Sequence, residues 1–513
     1  MVEGDTSANR LAIVLERSSI SMDEAHLVDT VRTAWDVDLL IAGPDALEDV
    51  RRSSLFFRFL LAIEIFLTGL VISRVRNCRR SIPAEVRPLS EAGADSFDLV
   101  LNLTRGAIRS SSLPPSKRGV LRLHYGDIET GREGPPGFWE LCLGRNASGW
   151  WLMLEEETAP PACVFYGRYK TKRLMGLNDE SVRREAHVDL GMELLRLAQG
   201  GTIRHFERDF KPEWMAPGIV DVARCRLKVL GRETAFFLRT KARGKQPVFS
   251  IGAVRGHWQR ADFSKARIIP NPSGSYLADP FLVEHAGQRV CFVEEFDFAA
   301  DRGRISWLDL TDGKATYMGT LIEEPHHMSF PFVFEFKGEW YMVPETHEAA
   351  EIGLYRCTTF PHEWEKCGTL MEGIEASDTM VFAQAGRWWM LTNVRPPGAN
   401  DFYSRLHLFW SNDPTGKQWT PHPLNPVLVD ADGGRNGGIL QDKEGSLYRV
   451  GQIQSILTYG AGWCINRIDV LSPEAYMETR ISASAPPASN RVIGGHHLHA
   501  AGDNTVFDIL HLE

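Results

Sequence analysis

Four carboxylates stand in register in the second half of the chain, and they carry the first candidate chemistry. Asp279 and Asp378 each open a copy of a repeated segment. Glu294 and Glu345 each close a strand, and Asn393 and Gln452 hold the same offset in two further copies. Polar groups that recur at one level of a repeat mark a hydrophilic site near a shared axis. A lone acid at such a place can simply cap a turn, so the argument rests on the repetition. Glycosidic chemistry needs two carboxyls, one protonated and one ionised or nucleophilic. Asp279, Glu345 and Asp378 are the expected catalytic acids, with Glu294, Asn393 and Gln452 as expected substrate contacts. Arg435, just before the fourth copy, suits an anionic substrate group. His497 belongs to a run, His496-His497-Leu-His499, that could offer three imidazoles to zinc. Clear ligand spacing is missing, so no metal is assigned and hydrogen bonding to carboxylates or sugar hydroxyls is expected.

The elements that must position these groups are strands joined by glycine turns. Asp279-Pro-Phe-Leu-Val-Glu-His-Ala-Gly287, Phe330-Pro-Phe-Val-Phe-Glu-Phe-Lys-Gly338 and Asp378-Thr-Met-Val-Phe-Ala-Gln-Ala-Gly386 each run into a second apolar strand. A fourth copy starts at Gly437, and a looser fifth is His496-His-Leu-His-Ala-Ala-Gly502 leading to Thr505. A spacing of roughly 50 residues is that of propeller blades. Five copies predict a five-bladed all-β propeller over residues 253–513, since one blade cannot bury both its faces alone. Trp340, Trp388 and Trp389 fall inside return strands and read as core.

At 513 residues the chain should hold two or three domains. A hydrophobic share of 43% and a charged share of 24% are those of a globular protein. The net charge of -9 leaves no basic excess for phosphates, which argues against a nucleic-acid partner. Eight scattered cysteines without a CxxC fit reduced thiols, and no signal peptide is visible, so a cytoplasmic protein is expected. Residues 55–75 are strongly apolar, but Arg58 and Glu64 interrupt them, against a transmembrane helix. Arg74, Arg76, Arg79 and Arg80 follow, so residues 55–80 offer a peripheral contact at the inner membrane face; packing in a domain is the plainer reading.

In residues 1–203, apolar strand runs alternate with a helical pattern at 22–35, which argues a parallel, Rossmann-like α/β domain. His124 would lie at a strand's carboxyl end, where ligands gather. A long helix is expected over 174–197. Residues 204–252 read as a connector with a strand or two, and their basic run 224–245 as a solvated face.

Gly119 to Glu157 resembles the formyltransferase N-terminal domain, with His124 matching the catalytic histidine and Arg132-Glu-Gly134 and Pro135-Pro136 echoing its loop. The asparagine position holds Arg122, so the resemblance implies a degenerate scaffold. A folate formyl donor is implied only if that domain is active; otherwise no cofactor is expected. Ser275-Tyr-Leu-Ala-Asp279-Pro-Phe resembles the opening blade of five-bladed glycosidases, although Phe330 stands where an aspartate is expected and Asp378 where a glutamate is. Asp279-Pro-Phe, Val343-Pro-Glu-Thr346, Ser377-Asp378 and His496-His497 more closely resemble the N-terminal propeller of glucosamine inositolphosphorylceramide transferases. These likenesses imply a carbohydrate- or glycolipid-directed enzyme of polysaccharide or envelope biosynthesis, a transferase or a glycosidase-like protein. A sugar N-formyltransferase using His124, and a non-catalytic glycan-binding scaffold, are the alternatives. The residues do not name an oligomeric state.

Overall fold

The computed structural model describes residues 9–17, 19–49, 55–71, 80–81, 86–93, 95–104, 107–156, 159–206, 213–240, 246–484 and 492–513. The chain divides into two compact units, Met1–Gly231 with Pro397–Asn400, and Arg232–Pro396 with Asp401–Glu513.

The first unit is built on a seven-stranded sheet. Its order is Ala162–Lys170, Ala147–Glu155, Val120–Tyr125, Leu99–Asn102, Arg10–Leu15, Asp36–Ile41, Arg87–Pro88. Leu11 to Val14 and Leu99 to Leu101 are fully buried, as strands covered on both faces must be. The last five strands of that order run parallel. Ala147–Glu155 runs antiparallel to both its neighbours, Val120–Tyr125 and Ala162–Lys170, so the sheet is mixed rather than wholly parallel. The short link from Ala147–Glu155 to Ala162–Lys170 leaves no room for a crossover, which makes that pair antiparallel. The helix Met22–Val31 starts at a capping box, Ser21 with Glu24, and the helix Met175–Ala198 covers the predicted long helical stretch. Residues 55–71 are helical. No helix among the described residues is long and apolar enough to cross a membrane. Arg74, Arg76 and Arg79 lie outside the described residues.

The connector expected at 204–252 is corrected in two ways. It contains a 21-residue helix, Ile219–Arg239, whose apolar periodicity is masked in the sequence by interleaved basic residues. Its end, Pro247–Arg255, is a propeller strand, so the propeller begins before residue 253. That strand is recognisable only by its partner, because it pairs along its whole length with the C-terminal strand Asn504–Leu512.

The second unit is a five-bladed propeller. Four blades are meanders opening with Ser275–His285, Ser329–Phe336, Ala376–Gln384 and Asp432–Gln441; three are four-stranded, and the third adds a fifth short strand, Leu428–Val429. The fifth joins Pro247–Arg255 to Asn504–Leu512, Leu498–Ala501 and Val492–Gly494, closing the ring with both ends of the domain. The opening strands touch in turn around the hub, and Leu498–Ala501 returns to Ser275–His285. Ala286-Gly287, Lys337-Gly338 and Ala385-Gly386 all have positive φ, as a two-residue type I′ hairpin requires. Between blades lie apolar layers such as Phe281, Phe330, Met380 and Leu391. Burial of each such side chain is worth about 2 kcal/mol.

Candidate functional site at the propeller hub

Every opening strand breaks its ladder where the repeat begins. The shifts fall between Ala278 and Phe281, Ser329 and Phe332, Ser377 and Met380, and Asn436 and Ile439. At the first three, Asp279, Phe330 and Asp378 take φ of 50°, 47° and 49°. A non-glycine residue there costs about 1 kcal/mol. The bulges turn the chain at the hub and re-aim its side chains. In the fourth blade glycine is obligatory: a Cβ on Gly437 would lie 2.4 Å from the His496 carbonyl oxygen.

The recurrent polar level proves to be a stitch between blades. Glu345 Oε2 accepts the Asp378 N–H at 3.3 Å, Asn393 Oδ1 accepts the Asn436 N–H at 2.9 Å, and Asp508 Oδ2 accepts the Asp279 N–H at 3.5 Å. Each bond satisfies a backbone donor that the bulge withdraws from its own sheet.

Above this level opens a cavity of about 310 Å³, lined by Asp279, Glu294, Glu345, Arg435 and His496 and rimmed by aromatic residues including Tyr276, Tyr403 and Tyr459. Two charge clusters form it. In one, the His496 ring lies 2.8 Å from Asp508 and 3.2 Å from Asp279, and His497 Nδ1 is 3.5 Å from Asp279. Burial alone would neutralise His496, but Asp508 and Asp279 outweigh it and hold the ring protonated, well above the usual imidazole range. Burial likewise opposes the Asp279 charge, and the two histidines reverse that, keeping Asp279 ionised far below the carboxylate range. Glu294 behaves oppositely: burial and then the Asp279 charge push it well above the ordinary value, so it stays protonated. Two neighbouring carboxyls are thus held in opposite states, the arrangement acid–base catalysis uses.

In the second cluster Arg435 binds Asp378 through Nε at 2.5 Å and Nη2 at 3.2 Å, and reaches Glu345 at 3.3 Å. Tyr403 and Tyr459 face its guanidinium at 5.3 and 5.6 Å. His347 lies 2.8 Å from Glu345. Against the effect of burial, His347 and Arg435 bring Glu345 down to about 2. Gln452 donates to Asp378 Oδ2 at 2.9 Å and to the Asn436 carbonyl at 2.6 Å.

The expected residues therefore divide. Asp279, Glu294, Glu345 and Arg435 converge on the cavity. Asp378, Asn393, Gln452 and His497 are buried behind its lining. Asp279, His496 and Asp508 place one ligand atom each within 4.8 Å of the others, so they are the residues that could take a cation; the protonated His496 ring already supplies positive charge there. His124 lies in the other unit, its Nδ1 2.9 Å from Glu133 Oε1 and its ring stacked on Trp151. Arg122 pairs with Glu155 at 3.4 Å.

Sequence reasoning missed Asp508, His347, Tyr403 and Tyr459, and placed His496 only in a histidine run expected to hydrogen-bond carboxylates or sugar hydroxyls. Asp508 left a signal, a lone acid inside the apolar run Thr505-Val-Phe-Asp-Ile. The two tyrosines sit in loops outside the repeat and left none.

The fold and site together define a five-bladed propeller with a charged, aromatic-rimmed hub. Residues 264–499 match the family model described as Glucosamine inositolphosphorylceramide transferase 1, N-terminal. The relative of that name from Arabidopsis thaliana is 33% identical over 214 residues, 41% of this chain and 28% of its own length. The Oryza sativa subsp. japonica relative is 34% identical over 212 residues, 40% of this chain and 28% of its own. This chain thus spans little more than a quarter of the curated relatives it matches. Among solved structures, the α-L-arabinofuranosidase PaAbf62A from Podospora anserina aligns at TM-score 0.36 and 11% identity, over 47% of this chain and 93% of that one. A Cellvibrio cellulosa α-L-arabinanase mutant aligns at TM-score 0.36 and 15% identity, over 46% and 90%.

Proposed function

We propose that the propeller acts on a carbohydrate or glycolipid, by glycosyl transfer or hydrolysis, with Glu294 as general acid and Asp279 as general base or nucleophile. The observation that carries this is the pair itself: two buried carboxyls lining one cavity of about 310 Å³, their acidities pushed in opposite directions by burial and by the neighbouring histidines. Arg435 would hold an anionic group such as a phosphodiester, and the tyrosines would stack on sugar faces. The match to a transferase named for an inositolphosphorylceramide substrate supports that substrate class. The test is turnover of inositolphosphate-bearing glycolipids and of free glycans. Glu294→Gln and Asp279→Asn should each lower it by about 10²–10⁴-fold with folding retained. Affinity without turnover on any donor would leave a glycan-binding scaffold instead.

Formyl transfer at His124 is the second reading of the sequence. The burial of His124 between Glu133 and Trp151 supports a packing role for it. Formylated sugar appearing with a reduced-folate formyl donor, and lost in His124→Ala, would restore that activity.

A further inference from the structure

The helix Ile219–Arg239 has three faces rather than two. Val222 and Cys225 are buried at 1% and 0% exposure and pack it down. Ile219, Ala223, Leu227, Leu230, Thr234 and Phe237 follow the three- and four-residue spacing of a single stripe, and that stripe is open to solvent. Leu227 is 70% exposed, Leu230 64% and Ile219 61%; Val220 and Leu238 widen the stripe on one side. Arg224 and Lys228 follow one position behind stripe residues and form its edge. A helix of this length extends about 31 Å.

Solvent-facing apolar rows of this length mark an interaction surface. The charge of the helix selects the occupant. It carries Arg224, Arg226, Lys228, Arg232 and Arg239 against Asp221 and Glu233, although the whole chain is at -9. An apolar stripe edged by basic residues is the composition of a helix lying in a bilayer surface, with its cations on anionic headgroups. A second copy of the chain would bring a like-charged edge with its own stripe. The helix Leu55–Val71 repeats the pattern on a smaller scale: Phe56, Phe59 and Ile63 are exposed on one face. An ion pair between Glu64 and Arg226 ties the two helices together.

The geometry points to Ile219–Arg239 as an in-plane docking helix for an anionic lipid surface, assisted by Leu55–Val71. This goes beyond the reading of the hub and stands without it, because vesicle binding requires no turnover. The test is co-sedimentation of the full chain with phosphatidylcholine vesicles, with and without phosphatidylglycerol. Phosphatidylglycerol should tighten binding about 10-fold or more, and added salt should reverse that gain. Leu227→Glu with Leu230→Glu should weaken binding about 10-fold at unchanged circular dichroism. Arg224→Glu with Lys228→Glu should remove the preference for the anionic lipid. Failure of the wild-type chain to pellet with anionic vesicles overturns the proposal whether or not the variants fold. So does unaltered binding by both double variants. A dimer seen by light scattering and split by Leu227→Glu with Leu230→Glu, without lipid binding, would reassign the stripe to self-association.

Discussion

The hub of the propeller and the polar centre of the first unit are both buried clusters of charge, yet they are built differently. At the hub, Asp279 and Asp508 lie at opposite ends of the domain sequence and meet on one histidine. Asp279 and that histidine line a cavity. In the first unit the partners come from one neighbourhood: His124 with Glu133, Asp127 with Arg168, and Glu140, whose Oε1 accepts the Asp127 N–H at 2.5 Å. Burial pushes Glu140 up to about 8, as it pushes Glu294 up at the hub. A shifted carboxyl therefore does not by itself distinguish the two regions. What distinguishes the hub is an oppositely shifted neighbour on the same open space. The comparison teaches that perturbed acidity points to function only where a ligand has room to stand.

Removing the central cation from each cluster is the harshest way to break the comparison. Arg435→Met strands Asp378 and Glu345, and should cost about 3 kcal/mol in urea unfolding together with glycan turnover. Arg168→Met should cost a similar amount of stability by the same measurement, yet leave propeller turnover intact in the fraction that remains folded. Loss of turnover in both would dissolve the distinction.

Acidity sharpens the contrast. His496 has a folded-state value above its unfolded one. Its stabilisation is full below about pH 6.5 and is lost as pH rises through the raised value. Glu345 runs the other way. Its contribution is present above its ordinary 4.5 and disappears as pH falls toward about 2. Stability measured by urea unfolding against pH should thus fall at both ends. His496→Gln should flatten the alkaline limb and Glu345→Gln the acid one.

A smaller effect is expected at the strand-end histidine. His124→Gln keeps a hydrogen-bonding group near Glu133 and should cost about 1 kcal/mol in thermal or urea unfolding, with no change at the hub. The smallest lies at a hairpin. Lys337 has φ of 53°, and asparagine tolerates that region better, so Lys337→Asn should stabilise the propeller by about 0.5 kcal/mol, read as a small rise in melting temperature.

Much of the hub could be read in advance, for a definable reason. Asp279, Glu294 and Glu345 belong to a repeat, and a repeat transmits its register to every blade, so equal offsets meant equal height on the axis; Arg435 was read from its place just ahead of a copy. The same logic misjudged Asn393 and Gln452. Height on the axis does not say whether a side chain faces the cavity or the next blade's N–H. Residues 219–239 failed for another reason: an amphipathic helix with basic edges and a solvated charged face differ only in which side is left uncovered.

Sequence alone settled the blade count, the glycine hairpins and the polar ring, because strand alternation and turn chemistry are local and recur. Tertiary structure decided the rest. Closure through Pro247–Arg255 and Asn504–Leu512 brought Asp508 beside His496 and Asp279, and no local pattern foretells a pairing that joins the two ends of a domain. Which carboxyl keeps its proton was also decided there, since acidity follows burial and neighbouring charge, and both exist only once the blades have met.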